Sequence, residues 1–272
     1  MQLLIRIHKS NKSTIHVLLT LPFLTASLIC LVCDEVAMVD FLLVLAAISL
    51  GCNVAASRIV EERKIYLRER LANLRMDAYL ISKVLPLMLF TAVQVAVLTI
   101  LAWIFGDTAG SLILRFLALS MAAWNGMGIG LLISSAALSL NKAMSAVSLI
   151  MIPQIVLAGF LVAVPEMNMA TDILSLATTA RWAMRACEIA ALNEREIDEP
   201  LLSGPDLRSL QNLYASAALD TQDWRDLFMA QRAGQRIHLG RTYKESIAVM
   251  AWLLALLGAG TLIMLRRLDI PK

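Results

Sequence analysis

The chain has 272 residues, 59% hydrophobic and 17% charged. Soluble domains are nearer half apolar and a quarter charged, so the composition excludes an ordinary water-soluble globule and points to an all-helical membrane protein. The net charge of +3 says little about partners; where the charge sits says more, and no nucleic-acid partner is expected.

A bilayer core of roughly 30 Å takes about 20 apolar residues per helix. Six segments meet that requirement, at about 15–33, 41–57, 84–105, 116–140, 143–164 and 246–265. Residues 1–14, ahead of the first, form a short segment with Arg6, Lys9 and Lys12 and no acid. A basic start before an apolar run also fits a cleaved signal. The run of about 19 residues is too long for an h-region, however, and no small-x-small site follows it. Cys30 and Cys33 share one face of that first helix, a spacing better explained by packing than by metal. With Cys52 and Cys187 they give no disulfide pattern, and no HExxH or paired CxxC suggests a metal site.

Between the second and third spans lies "RIVEERKIYLRERLANLRMDAYLISK", residues 58–83, with seven Lys/Arg and four Asp/Glu. Its first 17 residues lack Gly and Pro, so they are expected as one helix of about 25 Å extending the second span into the cytoplasm. Glu62, Arg63, Tyr66, Glu69 and Arg70 recur at spacings of three and four, which makes them neighbours on one side. Two readings stay open on composition alone: a lever contacting a cytoplasmic protein, or a solvated loop that fixes topology.

The fourth span carries "GMGIG" at 126–130. With no flanking strand these glycines are expected to permit close helix packing rather than to bind a dinucleotide. No Asp, Glu or Lys falls within the six spans, so ion- or proton-coupled transport, which would need one, is disfavoured. Arg115 stands at the outer end of the fourth span and is expected to snorkel. The milder polar residues Asn53, Gln94, Asn125 and Gln154 are read as interhelical hydrogen bonders ahead of substrate ligands. Lys142 lies in the turn "SLNKAM" before the fifth span. Residues 165–245 are expected as an external insertion. Its first part, "MATDILSLATTARWAMRACEIAALN", is too polar to span and too apolar for a free loop, and is expected to dip partway into the membrane. Its later part reads as a short helical subdomain. Residues 246–272 complete the chain with the sixth span and the basic tail "RRLDIPK".

Charge in the short loops sets orientation. Residues 1–14, 58–83, Lys142 and the tail are basic, while "CDEVAMVD" and "GDTAGS" hold four acids and no Lys/Arg. Both termini and the 58–83 segment are therefore expected on the cytoplasmic side of an inner or plasma membrane. No G-x-x-x-x-G-K-[ST] loop is present, so the chain is not expected to be an enzyme. An intramembrane enzyme would need a catalytic pairing of Asp, His or Ser within the spans, and no Asp lies there to form one.

The 58–83 stretch resembles the first cytoplasmic loop of G-subfamily ABC exporter membrane domains, the white and pleiotropic-drug-resistance type. Ile59, Val60, Glu62, Arg63, Ile65, Tyr66, Arg68, Glu69, Arg70, Leu74, Ala78, Tyr79, Ser82 and Lys83 match that loop in register. "MIPQIVLAGFLV" is similar to the family's fifth span at Pro153, Gln154 and Gly159, and "ARWAMRACEIAAL" to its re-entrant segment at Arg181, Trp182 and Ala183. The resemblance covers about residues 15–265. It implies six spans, a coupling helix, external re-entrant helices and a homodimer, or a heterodimer with a second permease, around a central path. It also implies a separate ABC-type ATPase subunit that binds the ATP and Mg, this chain holding no cofactor. Glu62, Arg63, Tyr66, Arg68, Glu69 and Arg70 would then couple to the ATPase. Asn53, Pro153 and Gln154, on spans facing the dimer axis, would lie near cargo, with the fifth helix bent at Pro153. Lipid-like or amphipathic cargo is an analogy from the family alone. Three departures stand out. Arg58 replaces a Glu, the segment before the first span is short for the family's connecting helix, and Arg185 stands where a Glu is usual, with Glu188 later. Arg58 and the short first segment lend some weight to an alternative, a membrane scaffold or assembly protein that keeps the fold without transport.

Overall fold

The structure is a computed structural model that describes residues 12–33, 36–71, 76–105, 111–160, 168–192 and 239–268. The described residues form nine helices and no strand. In chain order they are α1 (Lys12–Val32), α2 (Val36–Ala56), α3 (Arg58–Leu71), α4 (Met76–Phe105), α5 (Leu112–Ala136), α6 (Leu140–Val156), α7 (Met169–Leu176), α8 (Thr179–Leu192) and α9 (Leu239–Leu268). Four stretches are long and apolar enough to cross a membrane: Met38–Arg63, Tyr79–Phe105, Leu112–Ala136 and Tyr243–Arg267. Thr20–Val32 and Leu140–Val156 are shorter apolar helices.

α5 is the hub, packing on α2, α3, α4, α6, α8 and α9. Its most extensive contact is with α2, and small residues explain why. A Cβ placed on Gly51 would lie 2.0 Å from the Ala123 carbonyl oxygen, and one on Gly126 would lie 2.2 Å from that of Ile48. At Gly130 the Cys52 carbonyl oxygen would be 2.4 Å away. The two backbones touch where no other residue fits, which is how small residues drive helix association where lipid tails compete for apolar surface. Ala47, Ala55, Ala122 and Ala123, all fully buried, fill the rest of the seam. The expectation for the glycines of 126–130 is met by geometry. Gly128 faces α9 instead, its absent Cβ pointing at Leu254 and Leu257.

Outward faces are apolar. On α4, Ile81, Leu85, Leu89 and Val93 recur at helical spacing and are exposed, as are Trp252, Leu256 and Ile263 on α9. A water-soluble monomer rarely shows an apolar surface of that extent; a bilayer covers it.

Several boundaries depart from expectation. The helix expected over residues 58–74 is described as α3 over Arg58–Leu71, set off from α2 by a turn at Ser57, while residues 72–75 lie outside the described residues and Met76–Lys83 belong to α4. α2 begins at Val36, so Asp40, expected in an outer loop, lies within the helix. α6 ends at Val156, three residues after Pro153, and Gly159 beyond it takes a positive φ of 91°, a conformation glycine adopts without strain. α9 begins at Leu239, ahead of the expected span. Residues 1–11, nearly all of the short N-terminal segment, lie outside the described residues. So do the tail residues 269–272 and 193–238, which hold most of the expected helical subdomain.

Candidate functional site

At one end of the bundle α3 is held by side chains of two other helices. A helix begins with amides that lack an intrahelical partner, and an N-cap hydroxyl normally accepts from the second or third of them. In α3 the acceptor comes from α5. Ser134 Oγ accepts from the Ile59 amide at 3.0 Å and the Val60 amide at 3.1 Å. Ser134 is fully buried, as is Ile59 beside it. One turn along, Arg63 Nη1 donates to the Ala137 carbonyl at 3.2 Å, just beyond the end of α5. On its other flank α3 meets α4. Glu62 pairs with Lys83. Tyr66 and Tyr79 pack with ring centroids 4.7 Å apart, and Lys83 Nζ sits 5.6 Å from the Tyr79 ring centroid.

The residues expected to couple to a partner thus have different positions. Tyr66 is buried at 1% exposure and serves the α3–α4 contact. Glu62 and Arg63 are half-buried and engaged within the chain. Arg68 is exposed. Glu69 and Arg70 belong to α3, but their side chains lie outside the described residues. Ser134 was not singled out from the sequence; the one signal was a serine near a span end, which many spans have. Lys83 entered only as part of the resemblance.

The path candidates also diverge. Asn53 is exposed on a helix that is otherwise mostly buried. Pro153 is exposed one turn before the end of α6. Gln154 is buried, and its Oε1 accepts from the Ala180 amide at 2.9 Å, satisfying the first turn of α8. Asn125 likewise bridges helices, donating to Met121 O at 2.9 Å and to Met250 O on α9 at 3.0 Å. For these two the interhelical reading is what the geometry supports.

The opposite end of the bundle gathers buried charge. Arg115 does not snorkel. It is 1% exposed, its Nε 3.0 Å from one Asp40 oxygen while Nη2 donates to the other at 3.2 Å. The Nη2 contact is a charge-assisted hydrogen bond, the strong kind, and the Nε contact is a close ion pair. α8 adds Arg181, Arg185 and Glu188, all buried, and packs on α2, α5 and α9. Ser111 donates its amide to Ala190 O at 3.1 Å, tying α8 to the start of α5. Arg185 lies 5.7 Å from the Trp182 ring centroid. Burial pushes the Glu188 carboxyl well above the usual carboxylate range; the charge of Asp40 adds to this, and Arg185 opposes it. The folded chain therefore holds this proton more tightly than the unfolded chain. The stability it contributes is fully present below the unfolded value of about 4.3 and is lost as pH rises through the folded value. Glu188→Gln is expected to flatten that dependence. The drop in melting temperature in detergent between about pH 5 and about pH 8 should be smaller in the variant than in the wild type.

Residues 4–190 match the ABC-2 type transporter membrane domain. No curated protein matches the chain. The match covers more than half of the 272 residues, and the chain belongs to the ABC-2 type transporter family. It is an integral membrane protein and a transport permease, of a family whose membrane domains carry no ATPase site of their own and normally work with an ABC ATPase subunit.

Proposed function

We propose that this chain is the permease subunit of an ATP-driven exporter of the G-subfamily type. A separate ATPase subunit binds ATP and Mg and pushes on α3. The observation that carries the reading is α3 itself. It is a densely charged helix that ends a membrane span, is fixed by Ser134, Arg63 and Glu62 to two further spans, and leaves Arg68 exposed. A loop serving only as a topology signal needs none of those attachments. In this reading α1 and α6 join the four long helices as a six-span set. α7 and α8 are the re-entrant helices on the outer side, and both termini and α3 are cytoplasmic, in the inner or plasma membrane. A second permease, identical or related, covers the face that exposes Asn53, and a lipid-like or amphipathic cargo moves between the two copies. Any such motion requires the ATPase to bind the two permease conformations with different affinity.

Arg68→Glu is expected to leave the chain abundant and inserted, because exposed ion pairs contribute only about 0–1 kcal/mol to stability. A like charge across a protein contact costs several kcal/mol, so retention of the co-purifying ATPase and its hydrolysis of MgATP should fall at least about tenfold. Normal retention and hydrolysis in the variant would count against α3 as the ATPase contact. A wild-type chain with which no ATPase travels would favour the scaffold reading.

A further inference from the structure

We infer that Ser134 is the pin through which movement of α3 enters the membrane domain, and that α5 carries it to the opposite end of the bundle. The inference rests on the permease reading and specifies how the push is transmitted. The direct covalent route from α3 runs into α2 through the single turn residue Ser57. A second, non-covalent route runs through Ser134. Ser134 lies 74 and 75 residues along the chain from its donors, the Val60 and Ile59 amides. It sits in the last turn of α5, and Arg63 fastens the same helix end by the Ala137 carbonyl. The first turn of α3 and the last turn of α5 thus share hydrogen bonds that neither helix supplies for itself.

α5 is 25 residues long, unbroken by proline, and about 37 Å from end to end. Its glycine seam brings its backbone directly against that of α2 at Gly126 and Gly130. At its far end Arg115 holds Asp40, and Ser111 holds the last turns of α8. A displacement at Ser134 is therefore delivered to α8, where the buried charges of Arg185 and Glu188 lie. Ser134 is a positioning residue. It meets neither nucleotide nor cargo and acts by fixing α3.

The test uses the full chain in lipid nanodiscs with its co-purified ATPase and MgATP as the probe. Two variants are compared with the wild type, Ser134→Ala and, as an independent cut at the same joint, Arg63→Met. Ser134→Ala should raise hydrogen exchange at the Ile59 and Val60 amides at least about tenfold while the ATPase stays bound in wild-type proportion. Permease-dependent hydrolysis should fall about fivefold or more in kcat with KM for ATP unchanged, and Arg63→Met should show the same split. Unchanged exchange at those amides overturns the inference, and so does faster exchange with unchanged kcat. Loss of the ATPase in step with loss of hydrolysis also overturns it, since Ser134 would then only maintain the docking surface. If no ATPase travels with the wild type, the permease reading fails and the inference with it. If the ATPase travels and both variants hydrolyse normally, only the inference fails.

Discussion

Gly126→Ala is expected to cost about 3 kcal/mol, the upper part of the usual range for overpacking, and Gly126→Leu is expected to leave no folded chain. A single methyl is normally a small change. Here it would sit 2.2 Å from the Ile48 carbonyl oxygen and 2.9 Å from its carbon. Those atoms are backbone, so no side chain can rotate away. Relief requires α2 and α5 to separate by more than an ångström, which would open the contact along the whole seam and strip packing from Ala47, Ala122 and Ala123 as well. Close-packed interiors pass such strain on instead of absorbing it. Gly258→Ala on α9 is the control, because nothing lies within 4 Å of its absent Cβ. There alanine should gain up to about 1 kcal/mol through helix propensity alone. Thermal unfolding of the purified chain in detergent measures both. Equal melting temperatures for the two alanine variants would refute the account of the seam.

The second large effect concerns Asp40 and Arg115. Arg115→Met should destabilise the chain by about 3–5 kcal/mol, because it leaves a buried carboxylate without its partner. Asp40→Leu should do comparable damage by stranding the guanidinium in a site 1% exposed. The double variant should recover most of the loss, since a well-packed apolar pair of similar volume is often as stable as a buried ion pair. The double-mutant cycle in a denaturant or thermal series gives the coupling directly. Two mild, additive single effects would mean that the ion pair contributes nothing that water or lipid headgroups do not.

Neither residue of that pair was legible as a partner of the other. Asp40 closes a run of acids and reads as loop; Arg115 opens an apolar run and reads as a snorkelling end. Each reading follows from local composition. Only the tertiary arrangement, which brings the starts of α2 and α5 together across 75 residues of chain, turns two boundary charges into one buried pair. The same limit applies at Ser57, where nothing in "AASRIV" marks a turn, and to Tyr66, which looks surface-facing until Tyr79 is placed against it. What local chemistry alone decides was legible. Long apolar runs became helices, the glycines of "GMGIG" became points of close approach, and the amides of Asn125 and Gln154 became bridges between helices. The family resemblance located the charged helix α3, but not the serine that holds it.

The bond from Asn125 to the Met250 carbonyl spans 125 residues, and that separation bears on how the chain is made. Ribosomes add about 5–20 residues per second, so α5 waits about 6–25 s in the membrane before α9 reaches it. Through that interval the same amide has a local acceptor, Met121 O at 2.9 Å in its own helix. The nascent helix therefore waits with its Nδ2 donor occupied, and the arrival of α9 adds a second acceptor to the same nitrogen.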